Sequence, residues 1–424
     1  MNHNSKEIKQ GVTLHTINTN NFKTNLYAVF LATPLTRENV TLNALLTAVL
    51  RRGTNSMKSQ DIISKKLEEM YGASFDCGID KTGDNHIIKF YLEAISEEFL
   101  PEKEEITEKC LDILFDIVFN PLIENDGFKE EYIQGEKENL KQIIEGKIDN
   151  KGVYALDRCR EEMFKGKPYG LYKFGYVEDL EKITAKSLYE YYKTLINNCK
   201  IDIFFSGIDK KNNIEEIVIN NEKIKNIVPR EPKYIVNTER TELVEVKDII
   251  NVQDHMQVNQ GKLVIGLTVN ADESNSKYTA SVYNAILGGG ANSKLFQNVR
   301  EKNGLAYTAG SNYVRQKNTI FIRCGIEISN YEKAVYTIKE QLNDMKNGNF
   351  EEVDIENAKN LIIESIKSIP AEQDTEITYY YGQELSDTST SIDEYISKIQ
   401  KQSKEDIINL AQNVSINTIY FLRD

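Results

Sequence analysis

The chain has 424 residues, 40% hydrophobic and 28% charged, which is enough apolar material for a large core and predicts about three domains. Its 52 basic against 65 acidic side chains leave a net charge of −13, which excludes a general nucleic-acid binder with a basic face for phosphates. No apolar run nears the roughly 18 residues that span a bilayer, the polar first ten residues predict no leader, and five scattered cysteines without a CxxC predict neither a disulfide scaffold nor a zinc ribbon, so a reduced cytoplasmic protein is expected.

From the N-terminus, the β-rich run at 25–32 predicts a strand, and the apolar stretch at 42–50 predicts a helix. Residues 86–92 alternate as a strand does, and 128–144 form a charged stretch with apolar residues at helical spacing. Residues 177–207 run from an acidic start through an amphipathic helix into an apolar strand at 201–207. The charged segment 209–245 holds two of the seven prolines, Pro229 and Pro232, shows no sustained period and reads as a linker. Beyond it come a strand at 263–269, a helix at 278–287, a strand at 319–324, a charged helix at 350–363 and a closing helix–strand pattern at 392–424.

The second set of elements repeats the first. Residues 48–56 (AVLRRGTNS) align with 285–293 (AILGGGANS) at an offset of 237, with five of nine positions identical. Each match ends an apolar helix that follows a β-rich run, and each half closes on an apolar strand. The order predicts an α+β fold of two homologous halves, each a mixed, largely antiparallel sheet covered by helices on one face. The expected division is an N-terminal half at 1–208, a linker at 209–245 and a C-terminal half at 246–424.

The only histidines are His3, His15, His86 and His255, and no two lie within four residues, so no helix can carry two of them toward one zinc. Each is expected to be a surface or satisfied structural residue, though a Cys–His pair assembled by the fold stays open. The glycines Gly288, Gly289 and Gly290 lack the Gly-Lys-Ser/Thr of a phosphate cradle and predict a helix end, with a left-handed cap and close helix–sheet contact. The run 165–170 (KGKPYG) predicts a turn.

The segment around Gly53-Thr54 resembles the insulinase-like (M16) zinc metallopeptidases. In that family a helix carries His-x-x-Glu-His six residues before such a Thr. The two histidines hold zinc and the glutamate activates water. The matching positions here are Ala44, Thr47 and Ala48, none of which can serve. The family's third ligand follows another glutamate by seven residues, a spacing met by Glu138 and Glu145, which equally suit a solvated helix face. The segment Arg300-Glu301-Lys302-Asn303-Gly304-Leu305-Ala306-Tyr307 is similar to the family's C-terminal signature. There an Arg and a Tyr seven residues apart hold substrate and stabilise the oxyanion, and the resemblance assigns substrate binding to Arg300 and Tyr307. From the residues alone, Arg300 could instead pair within its own half and Tyr307 fill a core edge.

The resemblance, which covers segment order over nearly the whole chain, fits the zinc-less subunits of heterodimeric members best. It implies no metal in this chain, zinc in a homologous partner subunit, and a peptide or unfolded polypeptide as ligand. Among bacterial proteins the likeness is to zinc-less members linked to aminopentanol modification of elongation factor P. It leaves two functions: a non-catalytic subunit of a zinc peptidase, or a structural or polypeptide-binding protein that has lost catalysis. Nucleic acid and membrane are not expected partners.

Overall fold

The computed structural model describes residues 3–102, 104–211, 213–236, 248–270 and 276–424. They divide into two compact units. No helix among the described residues is long and apolar enough to cross a membrane.

The first unit comprises Met1–Glu145, Leu171–Val236 and Pro370–Leu385. The six strands of its main sheet are β1 (His3–Lys9), β2 (Val12–Asn18), β3 (Thr24–Pro34), β4 (Ser74–Thr82), β5 (Asn85–Ile95) and β6 (Lys200–Gly207). They lie in the order β1-β2-β6-β3-β5-β4, antiparallel throughout except for β2 against β6. The second unit comprises Gly146–Gly170, Asn237–Ile369 and Ser386–Asp424. Its strands are β7 (Ile250–His255), β8 (Gly261–Val269), β9 (Ala306–Val314), β10 (Thr319–Ile326) and β11 (Val414–Arg423), in the order β9-β10-β8-β11-β7 with only β11 and β7 parallel. Read from the parallel pair outward, the two orders are the same, and β1 is the first unit's addition. The helices Val40–Leu50 and Ser276–Gly288 follow the corresponding strands β3 and β8, and each nine-residue repeat starts in the last turn of its helix.

Neither sheet has a bare face, contrary to the one-face covering expected from the sequence. Tyr27, Val29 and Leu31 of β3 enter a core under helices Val40–Leu50, Ile106–Phe119 and Ala185–Asn198. The alternate residues Leu26, Ala28, Phe30 and Ala32 meet Ile377 and Tyr381 of helix Gln373–Glu384 on the opposite face. In the second unit Leu263, Ile265 and Leu267 of β8 enter the main core, while Val264 meets Ala155 and Cys159 of helix Lys151–Met163. Gly266 allows this approach, since a Cβ there would stand 2.6 Å from the Met163 sulfur. A strand that is apolar at successive positions must bury both faces. Each covering helix comes from the sequence half that builds the other sheet, which a strand-by-strand reading cannot show.

Part of the stretch expected to be linker is ordered core. Helices Ile214–Asn220 and Glu222–Asn226 bury Ile214, Val218 and Ile224 in the first unit. Segments this short carry too few turns for a readable period. Residues 237–247 lie outside the described residues.

Candidate functional site

The motif helix Val40–Leu50 is packed on most sides. Ala44 and Thr47 are each 5% exposed. The Thr47 hydroxyl donates back to the Asn43 carbonyl at 2.8 Å, a local bond that spends its proton inside the helix. Asn43 is buried and serves a polar chain: Tyr191 donates to its Oδ1 at 2.6 Å, and its Nδ2 donates to His86 Nδ1 at 3.1 Å. His86 Nε2 in turn donates to the Lys173 carbonyl at 2.9 Å, and burial pushes the imidazole pKa down to about 3, so it stays neutral.

The carboxylates do not complete a metal site. Glu138 and Glu145 stand on the exposed side of helix Glu130–Glu145, where Gln142 donates to Glu138 at 3.4 Å. The buried acid of that helix is Glu136, ion-paired to Arg52 at 3.1 Å beyond the motif helix. Its position was readable, because 136 falls in register with Ile133, Leu140 and Ile144. Two methyl side chains, a hydroxyl committed to its own helix and two solvated carboxylates do not fit tetrahedral zinc. Gly53-Thr54 has a structural task instead. Thr54 and Ser56 donate to Asp116 of helix Ile106–Phe119, and the Thr54 hydroxyl accepts from Met57 N at 2.8 Å. Burial would raise the Asp116 carboxyl, but these donors and Asn120 hold it below the usual carboxylate range.

One other group of possible ligands exists among the described residues. His15, Asp202 and Glu384 offer atoms within 4.8 Å of one another. The ammonium of Lys200 already stands among them, paired to Asp202 and, at 2.9 Å, to Glu384. A cation therefore occupies the place a metal would need. His15 Nε2 donates to Asp202 at 3.0 Å, and its ring stacks on Phe204. Burial raises the Cys77 thiol pKa to about 11 and those of Cys110, Cys159, Cys199 and Cys324 to about 12, the opposite direction from an activated thiol.

In the second unit the signature segment forms a widened, π-type turn at Phe296–Lys302, a geometry frequent at functional sites. Val299, Leu305 and Ala306 are buried and anchor it. Arg300 and Tyr307 project from either side of that anchor into the open. The Arg300 side chain is 41% exposed, its guanidinium lies 4.5 Å from the Phe296 ring centre, and among the described residues its one ion pair is to Glu301 at 3.4 Å. Tyr307 is 61% exposed, and its hydroxyl reaches Glu327 only at 3.5 Å, the limit of a hydrogen bond. Tyr307 thus fills no core edge. Of the triple glycine, none adopts positive φ, so no left-handed cap forms. Gly288 serves close packing: a Cβ there would come 2.5 Å from the backbone nitrogen of Ser311 on β9.

Comparison with known proteins agrees with this architecture. A family model described as "Peptidase M16 inactive domain" matches residues 182–362. The chain is 35% identical over 418 residues to YmfF of Bacillus subtilis (strain 168), described as a "probable inactive metalloprotease", covering 97% of this chain and 96% of that one. It is 25% identical over 324 residues to an "uncharacterized zinc protease" of Rickettsia felis, covering 73% and 69%. Among solved structures, a conserved protein from Enterococcus faecalis V583 superposes with a TM-score of 0.90 at 27% identity over 100% of this chain and 99% of that one. The peptidase M16 inactive domain from Pseudomonas fluorescens gives 0.79 at 17% identity over 100% and 98%, a likeness of fold.

Proposed function

The chain belongs to the M16 peptidase family of insulinase-like metallopeptidases, and from that premise we propose that it is a non-catalytic subunit, lending Arg300 and Tyr307 to a homologous subunit that carries the zinc motif. The observation behind this reading is the contrast between the two signature segments. The motif helix buries Ala44 and Thr47 and commits the Thr47 hydroxyl to its own backbone, whereas Arg300 and Tyr307 are solvent-exposed and, among the described residues, each makes one long polar contact, at 3.4 Å and 3.5 Å. A side chain kept for stability is expected to bury or to pair closely, and neither does. A guanidinium and a phenol can both donate to a substrate carbonyl oxygen as it gains charge. Alone, the chain is expected to cleave no peptide, in keeping with the description of its B. subtilis relative.

The test is reconstitution with a sister subunit bearing His-x-x-Glu-His. Arg300→Ala or Tyr307→Phe should lower peptide turnover about 100-fold or more, the usual cost of one lost oxyanion donor, while assembly measured by size-exclusion chromatography stays unchanged. Full turnover in assembled variants would move the assignment to a catalytically inactive structural or polypeptide-binding protein, with a part in elongation factor P modification as the resemblance implies.

A further inference from the structure

Two interior strands of the second sheet each break their own burial pattern once, and both breaks are basic. β10 (Thr319–Ile326) is buried at every position but Arg323, and β8 (Gly261–Val269) at every position but Lys262. A charge in the middle of a central strand adds nothing to a core, and local departures of this kind concentrate at functional sites. The register puts both on one face. Lys262 pairs with Gly325, which pairs in turn with Thr308, and in the next row Val264 pairs with Arg323 and Arg323 with Gly310. Both cations line a cavity of about 450 Å³ that the start of helix Lys151–Met163 closes on one side with Asn150 and Val153.

The charge balance of the cavity is opposite to that of the chain. Among the described residues no Asp or Glu lines it, in a protein with 65 acidic against 52 basic residues. Among the described residues Lys262 meets only the Gln260 amide oxygen, and burial lowers its pKa. Among the described residues Arg323 forms no ion pair, and it is exposed. Two cations with no carboxylate partner among the described residues, beside the positive end of a helix dipole, make a seat for an anion. The side chains beside them, Val153 and Val264, are apolar. That mixture suits a carboxylate carried on a polypeptide better than a free inorganic ion.

We infer that this cavity binds the carboxylate of an acidic polypeptide segment, either an Asp or Glu side chain or a free C-terminus. The inference rests on the polypeptide-binding part of the proposed function and not on a zinc-bearing partner, so its test is binding to the full chain alone. Fluorescently labelled peptides would be titrated by anisotropy: one rich in Asp and Glu, its Asn/Gln counterpart, and each with a free or amidated C-terminus. The acidic peptide should bind at least tenfold more tightly than the amide counterpart. Arg323→Ala and Lys262→Ala should each weaken it about tenfold, the usual size of one charge-assisted bond. Arg323→Glu should reverse the preference toward a Lys-rich peptide. Loss of binding on C-terminal amidation alone would name the terminus as the source, and loss on Asn/Gln exchange alone would name the side chains. Equal binding of acidic and neutral peptides, unchanged binding in folded Arg323→Glu, absence of binding, or displacement by millimolar phosphate of a peptide without carboxylates would each overturn the inference. Thermal melts of the variants should match the parent, since neither side chain is in a core. Unchanged subunit activity with failed carboxylate binding would sink this site and leave the proposed function standing.

Discussion

Helices Gln373–Glu384 and Lys151–Met163 cover the second face of their respective sheets, and they are fastened by opposite means. The first is held through buried charge. Lys200 and Asp202 of β6 are almost wholly enclosed, Glu384 closes the cluster from the helix, and Gln373 donates to the Ser206 carbonyl at 2.7 Å. The second is held through a half-exposed network. Arg158 bonds Asp254 of β7 at 2.9 Å and its helix neighbours Glu161 and Glu162, each retaining a fifth or more of its exposure. The lesson is one of dielectric. Taking one partner from an enclosed cluster strands the rest without water, whereas in the open network water takes the vacated place. The first unit should therefore be brittle at its covering helix, and the second tolerant.

The largest effect is expected from Lys200→Ala, which leaves Asp202 without its cation in the interior. The cost should be about 3–5 kcal/mol, read as a lowered urea midpoint or melting temperature of the whole chain. A loss below about 1 kcal/mol would show that the cluster is effectively solvated and erase the contrast.

The pH dependence comes next, and it too belongs to the first unit. His86 and His3 have folded pKa values of about 3 and about 4, pressed down chiefly by burial from 6.5. The unfolded chain takes up those protons first, so stability should start to fall as pH drops below 6.5 and keep falling toward 4. Asp202 follows. Burial would raise its carboxyl, but Lys200 and His15 hold it lowered, so its contribution is complete above the unfolded value of about 3.9 and is lost as pH falls through the folded one. Melts from pH 8 to pH 3 check this, and His86→Gln should flatten the early part of the slope. A melting temperature flat between pH 6.5 and 4 would contradict it.

Arg158→Ala in the second unit should cost only about 1 kcal/mol, because its carboxylate partners rehydrate. A loss as large as that of Lys200→Ala would mean exposure does not govern the difference. The smallest effect has the opposite sign. The Tyr381 hydroxyl is buried against β3 with no hydrogen-bond partner among the described residues, so Tyr381→Phe should leave stability unchanged or raise it by up to about 1 kcal/mol. A clear destabilisation would point to a bound water joining Tyr381 to Asp202, whose Oδ2 also lacks a partner among the described residues.

Local pattern determined much of this protein. Runs of β-branched and aromatic residues marked β3, β8, β6 and β11, apolar spacing marked helices Glu130–Glu145 and Glu352–Lys367, and the repeat at 48–56 and 285–293 marked the duplicated order, since each of these signals lies within one element. The missing zinc ligands at Ala44, Thr47 and Ala48 were legible for the same reason: a helix-borne site needs its residues one turn apart. Tertiary structure alone decided the rest. The origin of each covering helix, the meeting of His15 with Asp202 and Glu384, and the alignment of Lys262 with Arg323 across β8 and β10 all join residues distant in the chain. Sequence periodicity reports which face of an element is apolar. Which distant element covers that face, and which charges meet there, follows only once the sheets have formed and their second faces must be hidden from water.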